Sequence, residues 1–134
     1  MLIARAVIRP YYGQLEISDS EKTDYPQFDT GAELVVSTPD CVVVTTRRDE
    51  DGDVVVEVWT DEIEAKAPIE MIHCGILEIR GHCRVGNTAG NHFVDVPIAP
   101  GRHQIKVFTC PAGAPAEAVY VLVGPGDATS ARPV

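Results

Sequence analysis

Cys41-Val42-Val43-Val44-Thr45-Thr46-Arg47-Arg48, then Asp49-Glu50-Asp51-Gly52-Asp53, then Val54-Val55-Val56-Glu57-Val58-Trp59-Thr60 is the stretch whose reading decides the fold class. Both flanks are dense in β-branched residues, which crowd the preceding turn of a helix but fit the pleated backbone of a strand. The polar segment between them contains Asp51-Gly52, a pair suited to the positive φ values of a tight turn. The stretch therefore predicts a β-hairpin.

Outward from this pair the pattern repeats. Leu2–Ile8, Gln14–Ser18 with Leu15 and Ile17 on one face, and Glu33–Ser37 with Leu34 and Val36 read as strands on the N-terminal side. On the C-terminal side, Ile76–Val85 reads as one or two strands. Phe93–Ile98 follows, with Val94, Val96 and Ile98 facing one way, and then Ile105–Cys110 and Ala118–Val123. Gly86–Asn91 is a loop, Pro100-Gly101 fits the centre of a type II turn, and Pro111–Pro115 is a Pro-rich connection. Asp61–Ala67 fits either one or two helical turns ended by Pro68 or an alternating strand. Helical periodicity is otherwise absent.

About eight short strands punctuated by turn residues, with little or no helix, predict an all-β protein. Each sheet has one apolar face to cover, so an antiparallel two-sheet β-sandwich is the natural arrangement, with a partly open barrel as the alternative. Parallel pairing is not expected, because no segment is long enough to be a crossover helix. The 134 residues read as one domain over 1–134, with 124–134 as a flexible tail.

Composition sets the first limits on function. The chain is 45% hydrophobic and 23% charged, and 20 Asp plus Glu against 11 Lys plus Arg give a net charge of −9. That balance argues against a nucleic-acid or anionic-membrane partner, since such proteins displace counterions from phosphate with a basic face. Met1–Ile8 is apolar but interrupted by Arg5, and no stretch approaches the roughly 18–20 apolar residues of a membrane span, so a cytoplasmic protein is expected. The four cysteines, Cys41, Cys74, Cys83 and Cys110, are then expected as free thiols, mostly buried.

The residues that could carry chemistry are few. His73-Cys74 and His82-Cys83 are zinc-ligand types, and a metal- or small-ligand-binding sandwich built on these four is the alternative to a plain protein-binding module. Against it, neighbouring side chains on a strand point to opposite faces, so one doublet cannot place both members on one metal without a bulge. No Lys/Arg cluster or helix start is present to activate a cysteine, and the sequence holds no nucleophile elbow, phosphate loop or dinucleotide fingerprint. Asp49-x-Asp51-Gly52-Asp53 misses the glycine and terminal glutamate offsets of a twelve-residue calcium loop. No cofactor and no catalytic residue is expected.

The acids, by contrast, are concentrated. Asp49, Glu50, Asp51, Asp53, Glu57, Asp61, Glu62 and Glu64 fall in sixteen residues without a Lys or Arg, and Glu16, Asp19, Glu21, Asp24, Asp29 and Glu33 form a second group. Such a surface would steer a basic partner and speed its association, and Trp59 could anchor it. The candidate partner-binding residues are therefore Asp49, Glu50, Asp51, Asp53, Glu57, Trp59, Asp61 and Glu62. A third possibility is a structural or oligomerising module without a ligand.

Several segments invite comparison with a family. Tyr11-Tyr12-Gly13-Gln14-Leu15-Glu16-Ile17-Ser18-Asp19 leads to Gly31-Ala32-Glu33-Leu34-Val35 and the valine-rich pair of strands. Val96-Pro97-Ile98-Ala99-Pro100-Gly101-Arg102-His103-Gln104-Ile105-Lys106-Val107 and Val119-Tyr120-Val121-Leu122-Val123-Gly124-Pro125 follow. In order and style the chain resembles the small bacterial proteins grouped with competence protein J, an inhibitor of a DNA-entry nuclease. The resemblance implies a β-sandwich, no catalysis and a protein partner, and it carries over no individual site residue. Joined to the acidic surface, it gives the expectation of a non-enzymatic, inhibitor- or immunity-like cytoplasmic protein that binds a basic nuclease or toxin.

Overall fold

In the computed structural model, which describes residues 1–124, ten strands form two five-stranded sheets. The strands are β1 (Leu2–Ile8), β2 (Gln14–Asp19), β3 (Val35–Thr38), β4 (Cys41–Thr45), β5 (Val54–Thr60), β6 (Glu70–Ile79), β7 (Cys83–Asn87), β8 (Phe93–Val96), β9 (Gly101–Cys110) and β10 (Ala118–Val123). The first sheet runs β1-β5-β10-β9-β6 and the second β3-β4-β2-β7-β8. Among the described residues there is no α-helix; Asp49–Asp51 make a turn of 3-10 helix. The expected tail beyond Gly124 lies outside the described residues.

The core lies between the sheets. Ile8, Val54, Val56, Val58, Leu77, Ile105, Val107, Val119 and Val121 project inward from the first sheet onto Leu15, Ile17, Val42, Val44, Cys83 and Val85 of the second, all at most 2% exposed. Removing a Val, Leu or Ile side chain from water contributes roughly 1.5–3 kcal/mol, so this layer is the main source of stability.

Two expectations about connectivity are corrected. The valine-rich strands β4 and β5 are not a hairpin, because β4 pairs with β3 and β2 in the second sheet while β5 pairs with β1 and β10 in the first. The type I′ hairpin turn that Asp-Gly favours needs two successive positive-φ residues. Here Gly52 alone has one, at φ 127° and ψ 171°, and the chain crosses from one sheet to the other. The second correction is that β10 lies parallel to β5, with Val119 beside Val56 and Val121 beside Val58. The absence of a crossover helix did not forbid this, because β6 to β9 intervene between the two strands.

Smaller differences follow burial. Ile76–Val85 is two strands in different sheets, broken at Arg80–His82. Asp61–Ala67 is neither helix nor strand. The strand read over Glu33–Ser37 is Val35–Thr38, and Leu34, just before it, is 56% exposed.

Candidate functional site

Position in the sheets separates the acidic residues that the sequence places together. Val54, Val56 and Val58 face the core, so Val55, Glu57 and Trp59 face outward from the first sheet. Asp49, Glu50, Asp51 and Asp53 sit before the start of β5 and Asp61 and Glu62 after its end, a distance of roughly 20 Å at about 3.3 Å per residue. The eight acids are therefore two exposed groups at opposite ends of one strand, with Glu57 between them.

The middle of the strand is internally satisfied. Glu57 Oε1 accepts the Trp59 indole N–H at 2.9 Å, and its other oxygen meets Arg5 Nε at 3.3 Å. Trp59 is 9% exposed, with Leu2 and Leu122 as its strand neighbours. Its donor is spent and its ring is covered.

Two acids of the second segment, Glu16 and Asp19, are absorbed by the fold on the other sheet, while Glu21, Asp24 and Asp29 stay exposed. Glu16 is buried, where it accepts from the Ser18 hydroxyl at 2.7 Å and meets Lys22 Nζ at 3.1 Å. Asp19 is fully buried and accepts the backbone N–H groups of Gly81, Arg80 and Glu21 at 2.9, 3.0 and 3.2 Å. Asp40 accepts from Thr23 N at 3.0 Å and from the Thr38 hydroxyl at 3.2 Å. Arg80 spans both carboxylates, 3.4 Å from Asp19 and 3.0 Å from Asp40. Burial alone would raise Asp19 and Asp40, but these hydrogen bonds and the Arg80 charge hold both below the usual carboxylate range. The cluster ties the β2–β3, β3–β4 and β6–β7 connections together.

The crossover loop, by contrast, is open. Asp49, Glu50, Asp51 and Asp53 are all exposed. Arg47 braces the loop from behind, its guanidinium donating to the Asp53 carbonyl from Nε at 3.2 Å and Nη2 at 2.5 Å. A Cβ on Gly52 would stand 2.8 Å from Arg47 Nη2 and displace the end of that side chain, and its φ of 127° is what requires the glycine. Arg47 also meets Glu117 at 3.8 Å. Glu50 has Arg48 at 4.0 Å, an exposed pair that neutralises little, while the Asp49, Asp51 and Asp53 carboxylates have no cation partner among the described residues.

Beside this loop is a cleft of about 390 Å³ at the seam between the sheets, lined by Leu34, Thr45, Thr46, Glu70, Ile72, Thr109 and the 113–116 loop. Nothing in the sequence pattern marked it. It opens where the edge strands β3 and β6 leave the two sheets uncovered. Arg47 N–H donates to the Ala116 carbonyl at 3.0 Å, which joins the cleft wall to the crossover loop.

The four His/Cys candidates do not converge. His73 is half-buried on β6, where burial lowers its pKa, whereas Cys74 is exposed, His82 is exposed in the β6–β7 turn and Cys83 is in the core. No three His, Cys, Asp or Glu side chains among the described residues could hold one metal ion. All four cysteines are free; Cys41 and Cys83 are buried as expected, while Cys74 is exposed. Burial pushes the Cys41 and Cys83 thiols up to about 12, far from thiolate formation at neutral pH. His103, outside this set, is buried and bonds the Ala99 carbonyl at 2.7 Å. No helix among the described residues is long and apolar enough to cross a membrane.

The architecture is that of a known class of all-β sandwich. The chain is similar in structure to ComJ from Bacillus subtilis, an inhibitor of the DNA degrading activity of NucA, with a TM-score of 0.72, 92% of this chain and 96% of that chain covered, and 9% sequence identity. The fold implied by the resemblance to the competence protein J group is thus the fold observed. No protein-family model matches the sequence, and no curated protein matches it by sequence.

Proposed function

We propose that this protein is a non-enzymatic, inhibitor- or immunity-like binding protein that offers the Asp49–Asp53 crossover loop to the basic surface of a nuclease or toxin. The observation that carries the reading is the loop itself: exposed, braced by Arg47 and Gly52, and bearing three carboxylates without a cation partner among the described residues. A nuclease is basic where it holds phosphates, so an acidic loop held in one conformation competes for that groove and steers the encounter. The likeness to ComJ supports a nuclease as the partner class. Of the acids of 16–33, Glu16 and Asp19 are buried and internally bonded and contribute less to such a surface, while Glu21, Asp24 and Asp29 are exposed.

The test is plasmid digestion by a NucA-type nuclease in the presence of this protein. Inhibition that weakens with salt, and that falls at least about tenfold in a D49K/D51K/D53K variant of unchanged melting temperature, is the expected result. Undiminished inhibition by the variant would overturn the loop's role.

A further inference from the structure

The cleft beside the crossover loop has a chemistry of its own. Its walls are Leu34, Ile72 and the Ala114–Ala116 turn, and Glu70 is its sole charged lining residue among the described residues. One Glu70 oxygen accepts Gly113 N–H at 3.3 Å, and no cation pairs with the carboxylate among the described residues. The hydroxyls have a direction. Thr45 Oγ1 donates to the Glu33 carbonyl and Thr46 Oγ1 to the Arg47 carbonyl, both at 2.8 Å. Each hydroxyl has one hydrogen, so what these two still offer is acceptor lone pairs. The site is therefore apolar along its walls, with one full negative charge at Glu70 and acceptor oxygens at Thr45 and Thr46 among its polar positions. Its complement is an alkyl stem ending in a cationic donor.

We propose that the cleft receives a lysine or arginine side chain of the protein partner, as the anchor around which the acidic crossover loop makes its contacts. The inference rests on the function proposed above and names the residue class that its partner must present. Three links make the two features one surface: Ala116 on the cleft bonds Arg47, Arg47 holds Asp53, and Glu117 pairs with Arg47. A cleft of about 390 Å³ is within the roughly 300–1,000 Å³ usual for specific pockets, and a long basic side chain buries its methylenes while keeping its head paired. Interfaces concentrate their energy in such central anchors, with charged surroundings governing the encounter rate.

The experiment needs no partner at first. Amide NMR spectra of the isolated chain are titrated with n-butylammonium chloride, with n-butanol as the uncharged analogue and sodium chloride as the ionic-strength control. Saturable shifts at Thr45, Thr46, Ile72, Gly113 and Ala116 with butylammonium, weaker by about tenfold with butanol and in Glu70→Gln, are expected. Glutamine keeps the acceptor for Gly113, and Glu70 is exposed, so that variant folds. Equal binding of butanol, equal binding by Glu70→Gln, shifts confined to Asp49–Asp53, or no saturation would each overturn the proposal. In the nuclease assay, Ala114→Arg places the protein's own guanidinium at the cleft mouth and should weaken inhibition about tenfold; unchanged inhibition overturns the anchor. Loss of inhibition in the D49K/D51K/D53K variant with no butylammonium binding would remove the anchor alone. Butylammonium binding by a chain that inhibits no nuclease would assign the cleft to free amines instead.

Discussion

Arg80 Nη2 donates to Asp40 Oδ2 at 3.0 Å while its Nε lies 3.4 Å from Asp19 Oδ2, so one guanidinium neutralises two carboxylates that the fold has almost wholly removed from water. Arg80 is itself half exposed, which limits its Coulombic contribution, but the carboxylates cannot recover hydration without opening the loops around them. Arg80→Ala should therefore destabilise the protein by about 2 kcal/mol. Asp19→Ala, which strands three backbone N–H donors, should cost about 3 kcal/mol. Urea unfolding midpoints at neutral pH would check both, with Arg80→Lys intermediate because a lysine cannot span two carboxylates with one planar fork.

Acid should unfold the protein in two stages. His73 has its pKa lowered by burial from an ordinary value of 6.5, so between the folded and unfolded values the unfolded chain binds more protons. Stability from this group is complete above about pH 6.5 and is lost as the pH falls toward the folded value. Asp19 and Asp40 are lowered from an ordinary value of 3.8, so their contribution is complete above about pH 4 and drains away below it. Glu33 is held down to about 2 by its own backbone N–H and the Thr30 hydroxyl, which extends the second stage to that pH. Unfolding midpoints measured from pH 8 to 2 should show both declines, and His73→Gln should remove the first.

The two ends of β5 should respond differently to charge. If the Asp49–Asp53 loop is the docking element, reversing Asp61 and Glu62 at the far end of the strand should leave inhibition within about twofold of the parent, since a separation of roughly 20 Å is well beyond a Debye length of about 8 Å. Association rates measured at several salt concentrations for both variants would show it. Equal slowing by the two variants would mean that overall charge acts rather than a local surface.

Thiol chemistry gives a separate check on burial. Cys74 is exposed, Cys110 is partly covered, and Cys41 and Cys83 are buried with their thiols pushed up to about 12. Titration with an aromatic disulfide under native conditions should modify Cys74 quickly and Cys110 slowly. Cys41 and Cys83 should react only on unfolding.

How far these features were readable in advance depends on whether the signal was local. Leu2–Ile8, Val54–Thr60 and Ala118–Val123 are strands with the bounds read from their residue types, because β-branched runs ended by turn residues decide the backbone without outside help. Asp51-Gly52 also announced a turn correctly. It could not say that the strand after the turn would join the other sheet, since that depends on which edge is free to receive it. The acids of 49–64 formed one patch in the sequence and two in space, because a strand carries its ends apart. Asp19 and Glu16 looked like surface charges; only Lys22 and the Ser18 hydroxyl for Glu16, and Arg80 with three backbone N–H groups for Asp19, make their burial possible. The seam cleft has no sequence motif at all. It is assembled from Leu34, Thr46, Ile72 and Ala116, whose proximity comes from the packing of four separate elements.

The parallel pairing of β5 with β10 has a consequence for how the protein is made. In the first sheet, β10 lies between β5 and β9 and, among the described residues, is the strand that links the β1-β5 pair to the β9-β6 pair. During synthesis β1 and β5 leave the ribosome early, with the β5 edge that Val119 and Val121 will occupy still open. Contacts this distant along the chain carry a high loop-closure cost and are made slowly. The second sheet, whose five strands are complete at Val96, can assemble first and hold the inner face on which the other sheet closes. Until Ala118–Val123 arrives, that open valine edge is a template for another chain, and it is where a stalled or slow-folding molecule would aggregate.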